Sequence, residues 1–248
     1  MKVIVKGLAT EYQDEGSGPV LLMLHGWGDS LHSFDTLVHR LGGFRIIRLD
    51  LPGFGGSELP HGEWNVADYA RFVDEFCKKI NVTPEYLIGH SFGGRISIKA
   101  LAHGIFHAKR LILAASAGVA DREMVQNNFF MLVAKIGKFL LKPFPRSWYL
   151  NLRRELYKVT GGDYVSAGAL SDTFVNVINE DLSNDAAQIN VPTLLVWGQD
   201  DIVTPLAEGK KLKQLITNSE LHAFANAGHF VHQQKADEVA ALIKKFCV

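Results

Sequence analysis

The sequence predicts an α/β fold: a mostly parallel central sheet with helices on both faces and a helical insertion in the second half of the chain. Three observations carry this expectation. Short apolar, β-branched runs alternate with longer amphipathic patterns, the rhythm of βαβ units. Several short runs are apolar at nearly every position, as strands covered on both faces are. The rhythm then stops between about Val119 and Ala186, where no strand pattern occurs.

Taken in order, the strand candidates are Val3–Lys6, Val20–Leu24, Arg45–Leu49, Tyr86–Ile88, Leu111–Ala114, Thr193–Trp197 and Leu221–Phe224. Asn65 is placed to cap a helix over Val66–Ile80, in which Tyr69, Phe72, Val73 and Phe76 recur at three- and four-residue spacing. A helical run begins near Phe92, and Leu206–Leu215 and Lys235–Phe246 behave alike. Inside the interrupted stretch, Phe129 to Leu140 reads as an amphipathic helix ended by Pro143 and Pro145, and Trp148 to Tyr157 as a second. The expected division is a core of residues 1–118 and 187–248 with a helical cap, or lid, over 119–186.

Composition narrows the function classes. The 248 residues carry 26 basic and 26 acidic side chains, a formal net charge of zero. A general nucleic-acid binder needs a basic footprint, which this balance does not supply. Locally, eight basic and three acidic side chains lie between Asp121 and Thr160. That excess reads as a solvated helix face; attraction of an anionic ester or a carrier protein is the alternative. No apolar run is long enough for a membrane span, and no leader-like apolar region follows Met1. Cys77 and Cys247 lie in amphipathic helical patterns, which suits reduced thiols. The expectation is a cytoplasmic protein.

The strongest chemical signal is Gly89-His90-Ser91-Phe92-Gly93, followed by Gly94, where an apolar strand meets a helix. In that context G-x-S-x-G reads as a nucleophile elbow. The turn must be sharp, so small residues two before and two after Ser91 let the chain pass. The helix N-terminus then offers free N–H groups near the serine. A serine hydroxyl needs a base, and the base an orienting carboxylate, in the order Ser, Asp, His for this elbow. Asp201 follows one buried strand and His229 the next, both at strand C-termini, where open α/β sheets bind ligands. Loop position favours Asp201, with Asp200 as runner-up. Negative charge developing on the substrate needs two backbone N–H donors. Phe92 N–H is one expected donor, and Trp27 N–H, in His25-Gly26-Trp27-Gly28, is the other. His25 is expected to brace that loop by hydrogen bonding. His222 and His232 read as structural histidines.

Together, four blocks resemble the α/β-hydrolase superfamily over nearly the whole chain. They are His25-Gly26-Trp27-Gly28, Asp50-Leu51-Pro52-Gly53-Phe54-Gly55-Gly56-Ser57, Gly89-His90-Ser91-Phe92-Gly93-Gly94, and Asp201 with Gly228-His229. The first two blocks and the placement of the cap also resemble the esterase group that cleaves pimeloyl-carrier-protein methyl ester. That group prefers Trp where this chain has His90, so its substrate is not carried over. The resemblance implies that the Asp50 block is a structural turn. Ser91 departs from the elbow aspartate of haloalkane dehalogenases and most epoxide hydrolases. The Gly-Gly-Ser-Trp-Gly elbow of proline iminopeptidases is absent.

The expected function is a serine hydrolase that cleaves small-molecule carboxylic esters through an acyl-enzyme. It has Ser91, His229 and Asp201 as catalytic residues and needs no cofactor or metal. Cap aromatics (Phe129, Phe130, Phe139, Phe144, Trp148, Tyr149) would line an apolar pocket or form the cap's own core. A carbon–carbon hydrolase of the meta-cleavage type is the alternative on the same fold. A ligand receptor of low turnover is the alternative of another class.

Overall fold

The computed structural model describes residues 1–119 and 168–247. Its eight described strands are β1 (Lys2–Val5), β2 (Leu8–Gly16), β3 (Val20–Leu24), β4 (Arg45–Leu49), β5 (Tyr86–His90), β6 (Arg110–Ala114), β7 (Thr193–Gly198) and β8 (Ser219–Phe224). They form one sheet in the order β1-β2-β4-β3-β5-β6-β7-β8. β1 pairs with β2, and β2 with β4, antiparallel; every later pairing is parallel. The described helices are α1 (Asp35–Val38), α2 (Val66–Lys79), α3 (Phe92–Ala102), α4 (Ser171–Asn179), α5 (Ser183–Ala186), α6 (Leu206–Leu215), α7 (Val231–Gln234) and α8 (Ala236–Phe246). One packed group runs α2–α3–α5–α6 and another α1–α7–α8, on the two faces of the sheet.

The central strands are buried because nearly all their side chains are apolar. β5 and β7 are buried at every position, and β3 and β6 at all but the first. β8 is an edge strand and stays half-exposed. Helix α2 begins where Asn65 predicts: Asn65 Oδ1 accepts from Asp68 N (3.0 Å) and Asp68 Oδ2 from Asn65 N (2.9 Å). This capping box satisfies two otherwise orphaned backbone donors. Tyr69, Phe72, Val73 and Phe76 form its buried face. Cys77 and Cys247 are free, buried thiols, each pushed up to about 12 by burial.

One strand escapes the sequence reading. β2 carries Glu11, Gln13, Asp14 and Glu15, a composition that reads as loop. Three of these side chains find partners on β4. Arg45 grips Asp14 through two bonds of 2.9 and 2.7 Å, and the buried Arg48 reaches Gln13 and Glu15. The Arg45 bond holds the Asp14 carboxyl below its ordinary value.

The predicted helices at Phe129–Leu140 and Trp148–Tyr157, and the six cap aromatics, lie outside the described residues. The described end of that stretch packs on the sheet layer through Leu170, Val177, Leu182 and Ala186, all buried. Arg95 on α3 donates to Glu180 O (2.8 Å) and Ile178 O (3.1 Å), satisfying carbonyls at the end of α4. Lys99, one turn on, binds Asp185 (2.6 Å) and Glu180 (2.9 Å).

Candidate active site

The strand C-termini bring four loops together. Ser91 follows the end of β5, and its backbone is held at φ 49°, ψ −108°. A side-chain-bearing residue at positive φ is strained by about 1–3 kcal/mol and persists only where its surroundings impose it. Here the surroundings do. Ser91 N donates to Ala114 O (3.2 Å), and Ser91 O accepts from Gly94 N (3.1 Å) and Ala117 N (3.2 Å). The flanking glycines are sterically required. A Cβ at Gly89 would lie 2.5 Å from Gly93 O, and one at Gly93 would collide with Leu24 O. Gly93 N donates to His25 O (3.0 Å), which locks α3 to the end of β3. Phe92 opens α3, so its N–H has no intrahelical acceptor. Among the described residues it makes no hydrogen bond.

The loop after β3 forms a turn from Gly26 to Asp29, closed by Asp29 N to Gly26 O (3.3 Å), with Gly28 at φ 71°. That left-handed position suits glycine. His25 braces the turn as expected. Leu51 N–H donates to His25 Nε2 (2.9 Å), so Nδ1 carries the proton and donates to Gly26 O (2.7 Å). Burial lowers the His25 pKa and keeps the ring neutral. The Trp27 ring packs on Phe54 (4.9 Å), Phe92 (5.2 Å) and Phe174 of α4 (5.0 Å). The Asp50 carboxylate stitches its own turn, accepting from Leu31 N and Gly56 N, both at 2.7 Å.

The loop after β7 carries Asp201, which is 5% exposed. Asp201 Oδ2 accepts from His229 Nδ1 at 3.0 Å. Oδ1 accepts from Val203 N (2.8 Å) and Thr204 N (2.9 Å). Burial alone would raise the Asp201 carboxyl, but the bonds from His229 and Thr204 outweigh it and hold the group below its ordinary value. Asp200, the runner-up, is exposed and makes no hydrogen bond to His229 among the described residues. With Nδ1 turned to Asp201, His229 presents Nε2 on its other side. Ser91 Oγ and His229 make no hydrogen bond among the described residues; in unliganded sites such contacts are often long and tighten with substrate.

Two residues of this site carried no role in the sequence reading. Thr204 Oγ1 lies 2.9 Å from Asp201 Oδ2, 3.2 Å from His229 Nδ1 and 3.1 Å from Ala115 O. Its signal was present: a threonine three residues after an aspartate is a local turn in which the carboxylate accepts the following N–H groups. His90 is the other. It donates from Nε2 to His229 O (3.1 Å), a contact between two loops that no sequence spacing announces. His232 is buried, with Nε2 3.1 Å from Ser33 Oγ, and His222 sits on β8. No group of three or more His, Cys, Asp or Glu that could hold a metal occurs among the described residues. No described helix is long and apolar enough to cross a membrane.

Comparison with known proteins places this arrangement. The Alpha/beta hydrolase family model matches residues 21–242. The AB hydrolase superfamily protein YisY of Bacillus subtilis (strain 168) is 30% identical over 262 residues, covering 94% of this chain and 93% of its own. The 2-hydroxy-6-oxo-6-phenylhexa-2,4-dienoate hydrolase of Comamonas testosteroni is 25% identical over 261 residues, covering 95% of this chain and 90% of its own. Among solved structures, a bacterial membrane phospholipase A superposes with a TM-score of 0.78 at 26% identity, covering 99% of this chain and 84% of its own. The family match runs from β3 into α8 and takes in all four loops, so this chain belongs to the alpha/beta hydrolase family.

Proposed function

We propose that this protein hydrolyses small-molecule carboxylic esters through an acyl-enzyme on Ser91. The observation that carries the reading is the 3.0 Å bond between the buried Asp201 carboxylate and His229 Nδ1, beside a serine held at strained positive φ. Asp201 fixes the imidazole tautomer, so His229 Nε2 is the free base. His229 takes the Ser91 proton as Oγ attacks the carbonyl carbon, then returns it to the leaving alcohol. Phe92 N–H and Trp27 N–H hold the oxyanion, each worth about 3 kcal/mol to the transition state. Water, activated by the same imidazole, cleaves the acyl-enzyme and frees Ser91. Residues 119–186 act as the cap that selects substrate, over a core of 1–118 and 187–248. The Phe174 contact with Trp27 supports that placement at the cap's end.

A second reading is favoured by the Comamonas relative, whose named substrate is cleaved at a carbon–carbon bond. The same serine, histidine and aspartate would then act on a vinylogous diketone. The two are separated by kcat/KM on p-nitrophenyl esters and on a 2-hydroxy-6-oxo-dienoate. The ester reading expects the esters to be the faster class. A large excess for the dienoate would replace it with carbon–carbon hydrolysis.

A further inference from the structure

We propose that His90 is a positioning residue whose Nε2–H holds the backbone carbonyl of His229 and so fixes the imidazole that serves Ser91. The proposal rests on the reading of Ser91 and His229 given above. Three loops meet on the His90 ring. His90 ends β5 and immediately precedes Ser91. Its Nε2 lies 3.1 Å from His229 O; a carbonyl only accepts, so Nε2 carries the proton. A Cβ on Gly26, in the loop after β3, would lie 3.0 Å from His90 Nδ1 and 3.4 Å from Ser91 Cβ.

The ring is also held in place and held neutral. It packs on His229 (4.8 Å), Phe230 (5.3 Å) and His232 (4.4 Å). Nδ1 is buried with no hydrogen-bond partner, so a second proton there would be an unpaired buried donor. The titratable groups that face it are His25, His229 and His232, each of which would repel a charge when protonated. Burial is the larger cause, and it keeps His90 well below the ordinary histidine range. The donor at Nε2 therefore stays the same across the working pH range. Asp201 grips the His229 ring, but the His229 backbone follows a half-exposed edge strand. Among the described residues, the His90 bond is the one hydrogen bond that joins the nucleophile strand to this loop.

The test compares wild type, Ser91→Ala, His90→Leu and His90→Gln in the full chain. Two readouts are used: p-nitrophenyl ester kinetics and the NMR resonance of the His229 Nδ1 proton, which Asp201 holds. Leucine removes the donor, and glutamine restores one at nearly the same reach. His90→Leu is expected to lower kcat by about 10- to 100-fold with KM within about twofold, the scale of a misplaced catalytic group. His90→Gln is expected to keep kcat within about threefold of wild type. The His229 Nδ1–H resonance should move upfield in His90→Leu, because a ring drifting from Asp201 weakens that hydrogen bond, and should hold in His90→Gln. Unchanged kcat and resonance position in His90→Leu, or equal losses in both variants, would overturn the proposal. Should His90→Leu fail to fold, His90→Asn, whose amide stops short of the carbonyl, takes its place with the same expectations. The resonance needs no turnover. A wild type no faster than Ser91→Ala therefore sinks the reading of the site while the His90 question is still answered.

Discussion

Two parts of the site are built on different physical terms. The turn after β5 is set by sterics. Ser91 sits at positive φ because Gly89 and Gly93 let backbone meet backbone and because its N–H and C=O are both engaged. The loops after β7 and β8 are set by side-chain hydrogen bonds. Asp201, Thr204 and His229 hold one another, and His90 ties the last of them to β5. The lesson is that the proposed nucleophile is placed by folding itself, whereas the proposed base is placed by polar contacts. A glycine substitution at the turn should cost stability. A polar substitution in the loops should cost rate and leave the fold standing.

The largest effect that sharpens this contrast is His229→Ala. It should lower kcat on a p-nitrophenyl ester by a factor on the order of 10⁶ with little change in melting temperature. Asp201→Asn keeps the shape but exchanges an acceptor for a donor, and should cost about 10⁴ in kcat. Asp200→Asn, at an exposed position, is the matched control and should leave kcat unaltered; a loss comparable to that of Asp201→Asn would reverse the assignment.

Gly93→Ala tests the other half. Helix propensity alone would make alanine the more stable choice by about 1 kcal/mol. The collision with Leu24 O opposes that, and we expect a net loss of about 1–3 kcal/mol. At the size of this chain that lowers the melting temperature by about 3–10 °C. A more stable variant in calorimetry would break the comparison. Thr204→Val removes one hydroxyl from the Asp201–His229 pair without changing shape. It should lower kcat about tenfold, the scale of a lost hydrogen bond to a charged group.

The smallest effect concerns stability against pH. Burial pushes the Glu208 carboxyl, on α6, up to about 7. The folded value lies above the unfolded one of about 4.3, so the contribution is fully present below that pH and is lost as pH rises through the folded value. Glu208→Gln removes this loss. The difference in urea midpoint, variant minus wild type, should therefore grow from about pH 4 to about pH 8. A flat difference would mean that Glu208 is not held protonated.

How much was legible in the sequence follows the same division. β3 begins and ends where its apolar run does, because a covered strand tolerates almost no polar residue; β4 keeps its expected bounds although it carries Arg45 and Arg48. The α2 start was readable because its cap is local, Asn65 with Asp68. β2 was not readable: its Asp14 and Glu15 are satisfied by Arg45 and Arg48 on β4, more than 30 residues away. In the site, the glycine spacing around Ser91 is a local signal and stands in the sequence. The choice of Asp201 over Asp200 as partner of His229 depends on how the loop after β7 turns, which Thr204 and Val203 set. The His90 bond joins residues 139 apart and has no local signature at all.

The central claim is that Ser91 is a nucleophile activated by the His229–Asp201 pair. Fluorophosphonate labelling followed by peptide mass spectrometry tests it most directly. One adduct per chain is expected, on the peptide containing Ser91, absent in Ser91→Ala and slowed by orders of magnitude in His229→Ala. A folded wild type that takes no adduct, or takes it on another residue, would exclude Ser91 as the nucleophile.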